Sequence, residues 1–362
     1  MKPNKKHITG ALRNFKKQSG VALITALILT TIAVSVAGTV MYRQQIQIRL
    51  SSNIAHMEQA YLYANGMEDW AGTILIKSFN DHKEYDSVLD DWAVLLPPIP
   101  IPGGVMNGQL FDLQARLNLN SLDRPQPIPP PPPREGQPQP EPKPDIADIN
   151  RQRIQKLIEQ VDPDQEMGPP ENFTDIVKDW IDKDQENGNH SNNPEEEISG
   201  NGAESPYYQS LEPAYYSANT LLVSPTELRL LKGVDKKIYN KLKEHVSTLP
   251  IKANNNEIKT PININTATVD VLKTIGFDPT EAGDIYDKVQ DSPFESKEEF
   301  ENYVSNNIPE APADFKHDTD VNSSYFLLQG KVEIHNSRLF INSILERKNG
   351  RISVIMRDFS KL

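Results

Sequence analysis

Residues 17–25 read Lys17-Gln18-Ser19-Gly20-Val21-Ala22-Leu23-Ile24-Thr25, and this stretch decides the fold. Upstream lies a basic leader with Lys2, Lys5, Lys6, Arg13, Lys16 and Lys17 and no acid; downstream, Val21 to Tyr42 carries no charge at all. About 20 apolar residues are enough to cross the hydrocarbon of a bilayer as one helix. An ordinary secretory signal places its apolar segment before the cleavage site and loses it on processing. Here the small-residue cut, after Gly20, falls on the basic side, so the apolar helix stays with the mature chain. The leader cations place the N-terminal side in the cytoplasm and the remainder across the membrane.

That remainder is acidic. The whole chain carries a net charge of -12, and the leader holds six of its 38 Lys and Arg residues, so the region beyond Gly20 is more negative still. Such a surface repels nucleic acid phosphates unless a local patch overrides the mean. With no cysteine, disulfides are excluded as staples. The seven histidines are scattered and no nucleophile elbow or phosphate-cradling glycine loop is present, so no catalytic constellation emerges and the chain reads as a non-enzyme.

Past Tyr42 the apolar positions step by threes and fours: Leu50, Ile54, Met57, Tyr61, Ala64, Met67, Ala71 and Ile74. This is one face of an amphipathic helix. With no proline before Pro97, the membrane helix is expected to continue to about Ser78. Phe111 to Leu119 alternates apolar and polar and predicts a half-buried strand. Pro125 to Pro144 holds 11 prolines in 20 residues, which predicts an extended, solvated loop. Capping signals then punctuate a helical block: Ser224, Pro225 and Glu227 open a helix that Gly233 ends, Asp278, Pro279 and Glu281 repeat the pattern, and Ser296 with Glu299 makes a third box. Strands are predicted at Tyr325 to Ile334, Leu339 to Leu345 and Ile352 to Met356, the last two joined at Asn349-Gly350.

The expected fold class is α+β. A long pilin-like N-terminal helix packs on an antiparallel sheet, and a large α-helical domain with helix-hairpin-helix-like units is inserted in that sheet. The expected divisions are residues 1–20 as leader, 21–42 as transmembrane helix, 43–122 as pilin helix and first strand region, 123–144 as proline-rich loop, 145–310 as inserted α-domain and 311–362 as C-terminal strands.

The leader and cut site resemble those of type IV prepilins. Further segments are similar to the K-type minor pseudopilins of type II secretion, the general secretion pathway protein K family. They are Arg116-Leu117-Asn118-Leu119-Asn120-Ser121-Leu122; Asp179-Trp180-Ile181-Asp182; Gly202-Ala203-Glu204; Tyr215-Tyr216-Ser217-Ala218-Asn219; Glu227-Leu228-Arg229-Leu230-Leu231-Lys232-Gly233; and Ile262-Asn263-Ile264-Asn265-Thr266-Ala267. They run in one order over nearly the whole mature chain. The resemblance implies a structural tip component of the type II secretion pseudopilus that supports export of folded proteins across the outer membrane. It implies a single-pass inner-membrane protein with a periplasmic C-terminal domain. A prepilin peptidase would cut after Gly20 and methylate Val21. The implied partners are the I- and J-type minor pseudopilins and the major pseudopilin, with no nucleic acid. A pilin-like component of a type IV pilus or DNA-uptake machine, and a single-span anchored periplasmic protein, are the rival readings.

Thr25 stands at the fifth mature position, where most pilins carry Glu. An unpaired carboxylate in a membrane helix is costly and finds its partner only when a subunit sits above it, so an uncharged residue suits a tip position. Asp182 and Asp184 alternate just after a helix, and Glu204 arrives from a glycine-flanked loop. Hard oxygen donors on loops suit calcium, although on spacing alone a solvated acidic face is the better account. The glycine an EF-hand needs sixth from Asp182 falls instead at Gly188, and the calcium expectation comes from the family resemblance. Finally, Ile262 to Val304 looks like a helix-hairpin-helix unit whose turn carries Asp278 and Glu281 where a phosphate would dock, so a scaffold is expected there.

Overall fold

The computed structural model describes residues 19–95, 97–123, 146–168, 170–183, 202–253 and 256–361. Residues 1–18 of the leader, residues 124–145 with the proline-rich segment, and Asp184 to Asn201 lie outside the described residues. Two units are distinguished, Met1–Gln59 and Ala60–Leu362. Helix α1 (Ser19–Asp81) contributes to both.

In the first unit residues 20–55 of α1 are exposed throughout, apolar side chains included. In the second unit Ala60, Ala64, Met67, Ala71 and Leu75 are buried, a stripe stepping by threes and fours. Earlier members of the same periodic face, Leu50, Ile54, Met57 and Tyr61, are exposed, with the Tyr61 ring 5.4 Å from that of Phe359.

The stripe packs on a five-stranded antiparallel sheet of order β1 (Ile99–Ile101), β2 (Gly104–Asp112), β9 (Tyr325–Ile334), β10 (Ser337–Lys348) and β11 (Arg351–Asp358). Leu110, Phe326, Leu328, Val332, Ile334, Ile341 and Leu345 complete this core. The helix comes close because Gly108 and Gly330 pair across β2 and β9, and a Cβ on either would lie 2.6 or 2.5 Å from the Met67 methyl. Glu68, on the same helix, is buried and receives Arg357 Nε at 2.7 Å, together with Arg357 Nη2 and the Ser343 hydroxyl, which ties edge strand β11 to α1. Asn349 and Gly350 both take positive φ, 53° and 70°, the geometry a two-residue hairpin of right-handed twist requires.

Between the adjacent strands β2 and β9 runs the helical region. It comprises β3 (Leu117–Asn118), a 3-10 turn (Leu119–Asp123), α2 (Ile146–Val161), α3 (Pro170–Ile181), α4 (Ser205–Gln209), a second 3-10 turn (Pro225–Leu230), α5 (Lys236–Leu242) and the short strands β4 (Val246–Ser247), β5 (Lys252–Ala253), β6 (Asn256–Glu257) and β7 (Ile262–Asn263). Then follow α6 (Val269–Ile275), α7 (Pro279–Asp291), α8 (Lys297–Asn307) and β8 (Thr319–Asp320). A separate apolar core holds it, with Leu119, Leu157, Val177, Tyr208, Leu242, Leu272, Ile285 and Phe300 among its buried members.

Three local expectations are corrected. The strand predicted over Phe111 to Leu119 breaks at Asp112, whose carboxylate accepts from Gln114 N at 2.7 Å and turns the chain; Leu117–Asn118 instead bridges β4 in parallel. The Ser224 box forms in full but opens a 3-10 turn, because Leu231 is already extended. Ser296 accepts from Glu299 N at 3.2 Å, whereas the Glu299 carboxylate turns to Glu295 N, so the third box is incomplete.

Two asparagine pairs join the region together. After β3, Asn118 Oδ1 accepts from Asn120 N at 3.2 Å, and the Asn120 carboxamide pairs with both Leu222 N and Leu222 O at 2.9 Å. After β7, Asn263 Oδ1 accepts from Asn265 N at 3.0 Å, and the Asn265 carboxamide pairs with both Phe294 N and Phe294 O at 2.9 Å. The Asn263 amide also donates to Asp112 Oδ2 at 3.0 Å and Ser323 Oγ at 2.9 Å. Burial pushes the Asp112 carboxyl above its ordinary range, against the hydroxyl donors Ser323 and Thr266. Beside it Asp86 and Arg347 form a buried ion pair, with Arg347 also donating to Ser323 O at 2.6 Å.

Candidate functional site

The residues expected to concern function fall at two places, the start of α1 and the end of α3. Gly20 and Val21 lie in the first turn of α1, exposed. The Thr25 hydroxyl donates to Val21 O and Ala22 O, each at 3.0 Å. Thr30, Thr31, Ser35 and Thr39 likewise bond carbonyls three or four residues back, at 2.7–2.9 Å. Every serine and threonine hydroxyl in this apolar run is therefore satisfied within its own helix, as hydrocarbon surroundings demand. By length and composition α1 can cross a membrane.

At the other site, α3 brings Asp179 and Trp180 to the close of its last turn, with Asp182 following. All three are buried. The chain returns at Gly202, so tightly that a Cβ there would fall 1.8 Å from Asp179 Oδ2. Only glycine admits this approach, and it delivers the buried Glu204 two residues later. Behind the carboxylates Trp180 meets Tyr208 edge-on at 5.0 Å, and Tyr208 stacks on Tyr215 at 5.3 Å. Burial pushes the Tyr208 hydroxyl well above its usual pKa. Asn219, at positive φ, donates its N–H to Trp180 O at 2.9 Å, and Lys232 Nζ reaches Gly202 O at 3.3 Å. The site is thus walled by the Tyr215 to Asn219 segment and the 3-10 turn region.

Of the residues expected to hold an ion, Asp182 and Glu204 are described and Asp184 lies outside the described residues. Among the described residues no group of three or more His, Asp or Glu is placed to hold a metal ion. Asp179, whose carboxylate lies against Gly202, was not among the residues expected here. Its signal was the Asp179-x-x-Asp182 spacing at a helix end, which puts two carboxylates about one turn apart. The expected residues Asp182, Asp184 and Glu204 offer only anionic oxygen, the chemistry that suits calcium rather than zinc or copper.

The expected helix-hairpin-helix is present as α6, Gly276 and α7, with Asp278 capping α7 through Thr280 N and Glu281 N.

A family model described as type II secretion system (T2SS), protein K matches residues 115–251. Type II secretion system protein K of Pseudomonas aeruginosa is 30% identical over 358 residues, covering 95% of this chain and 93% of that protein. The protein K of Aeromonas hydrophila is 28% identical over 256 residues, covering 69% of this chain and 68% of its own. In fold, the chain is similar to one in the crystal structure of the GspK-GspI-GspJ complex of enterotoxigenic Escherichia coli, with a TM-score of 0.66 and 22% identity, covering 86% of this chain and 99% of that one.

Proposed function

The chain belongs to the protein K family of the type II secretion system, and from that membership we propose that it caps the periplasmic pseudopilus, with I- and J-type minor pseudopilins as its neighbours. It is a minor pseudopilin and acts in protein secretion. In this reading the leader is cut after Gly20 and Val21 becomes the methylated amino end. The α1 segment to Tyr42 anchors the chain in the inner membrane before assembly, and residues from Ala60 onward lie in the periplasm. The role is architectural, with no catalysis of its own.

The observation that carries the tip placement is Thr25. Its hydroxyl is spent on Val21 O and Ala22 O, so the fifth mature position offers no carboxylate to the amino end of a subunit above. The stripe Leu50, Ile54 and Met57, exposed in the chain alone, is the surface that neighbouring stems would cover. The choice of partners follows the Escherichia coli complex, in which GspI and GspJ accompany GspK.

The same reading places calcium at Asp182, Asp184 and Glu204, with Asp179 added to the donors. A bound calcium ion would supply positive charge to buried carboxylates. The chain's own part is the Gly202 approach to Asp179 and the Asn219 bond to Trp180 O, which set these two described segments against the end of α3.

Mass spectrometry of the membrane-extracted chain tests the reading. A mature end at methylated Val21, with I- and J-type pseudopilins copurifying, is expected; an end at Met1 overturns it.

A further inference from the structure

Among the left-handed glycine turns that lead into helices in this region, those at Gly276 and Gly233 differ in what surrounds them. At Gly276, with φ 116°, a Cβ would meet Pro312 Cγ at 2.8 Å and Lys156 Nζ at 3.4 Å, so the turn is covered, and its flanks carry Asp278 and Glu281. At Gly233, with φ 78°, nothing lies within 4 Å. The residues around this open turn, Arg229 to Lys243, include Arg229, Lys232, Lys236, Lys237, Lys241 and Lys243 against the single acid Asp235, in a chain of net charge -12. Arg229, Lys236, Lys237 and Lys241 are exposed. Lys237 pairs with Glu166 at 3.0 Å and Lys241 Nζ donates to Val161 O at 2.6 Å. Arg229 and Lys236 make no ion pair with a described residue.

Apolar and aromatic groups are interleaved with these cations. Leu230 is 45% exposed and Tyr207 37%. Lys232 Nζ lies 5.2 Å from the Tyr207 ring centre, Arg229 lies 5.8 Å from that of Tyr239, and Tyr215 OH holds Leu230 O at 2.8 Å. Arg and Tyr are the residue types enriched in protein-binding hot spots.

We infer that this basic belt is a docking surface for an acidic segment of a partner protein. An acidic partner is repelled by the bulk of this chain and attracted here, so the belt sets orientation as well as affinity. A phosphate-bearing lipid or nucleic acid fits less well, because Asp235 stands at the turn with its carboxylate bound to Ile238 N at 2.8 Å, facing any close-packed anion.

The test uses the full chain in detergent micelles and fluorescein-labelled decaglutamate, read by anisotropy at low ionic strength. Binding is expected, weakened by added salt and by about tenfold or more in the double variant Arg229→Glu, Lys236→Glu, with Lys348→Glu on the sheet as an unaffected control. Should the double variant fold poorly, Lys236→Ala at its exposed position is expected to give a partial loss. Absence of binding by the natural chain, or an equal loss in the Lys348 control, overturns the inference. So does tighter binding to phosphatidylglycerol vesicles or duplex DNA than to decaglutamate, which would assign the belt to phosphates.

Discussion

The joint at Asn118 and Asn120 and the joint at Asn263 and Asn265 are built alike: a two-residue parallel bridge, an asparagine oxygen that receives the second asparagine's N–H, and a carboxamide that pairs with both backbone groups of one distant residue. They differ in reach. The first closes the helical region on itself, from Asn120 to Leu222 and from Asn118 to Leu249 N at 3.0 Å. The second runs out of that region to Asp112 and Ser323, where the sheet's own strands begin and end. The apolar packing at that junction is small, with Leu113, Leu249, Tyr325 and Ile344 as its buried members. Where apolar area is scarce, a fully bonded polar network fixes the mutual placement of two cores, because any displacement strands a buried donor or acceptor.

The contrast makes graded predictions. The largest effect is expected from Asn263→Leu, which deprives Asp112, Ser323 and Asn265 N of a partner at once and should cost about 4 kcal/mol in denaturant unfolding. It should also separate the melting of sheet and helical region into two steps. A single unchanged transition would break the proposed difference between the joints. Asn120→Leu strands Leu222 N and O and should cost about 3 kcal/mol within the helical region, without splitting the transition. Chelation comes next. Leu222 follows closely on the segment that walls the carboxylate site, so removing calcium held at about 100 times its Kd should lower stability by roughly 2.7 kcal/mol. Calorimetry with and without chelator reads this, and Asp182→Ala should abolish the response. An unchanged melting temperature sinks the calcium assignment. Smallest is Gly350→Ala at the β10–β11 turn, remote from both joints, expected to cost about 1 kcal/mol because alanine tolerates positive φ poorly.

Much of this was legible in the chain. The absence of charge from Val21 to Tyr42 dictates a membrane-length helix whatever else the protein does, and the structure keeps it helical from Ser19 to Asp81. The C-terminal strands and the Asn349-Gly350 turn followed from alternation and turn chemistry, which act over a few residues. Motifs at Asp278 and Ser224 also read correctly as caps, since a cap needs only its own first turn. What failed had a partner far away. The alternation from Phe111 to Leu119 looks like a strand, but Leu117 and Leu119 are buried in the helical core while Leu110 belongs to the sheet, and Asp112 turns the chain between them. The amphipathic stripe of α1 was right in period, and which of its members are buried depends on what another segment supplies.

The amino acid order alone therefore determined the anchored apolar helix, the α+β division and the order of the family's segments, all of which rest on local spacing and hydropathy. Only the tertiary structure decided that the Asp179 carboxylate lies against Gly202, where only glycine fits, and that the Gly276 turn is covered while the Gly233 turn stands open among cations. The reason is physical: a side chain's chemistry is written at its own position, whereas its burial, partners and charge environment are set by segments up to a hundred or more residues distant, as Asn120 and Leu222 show.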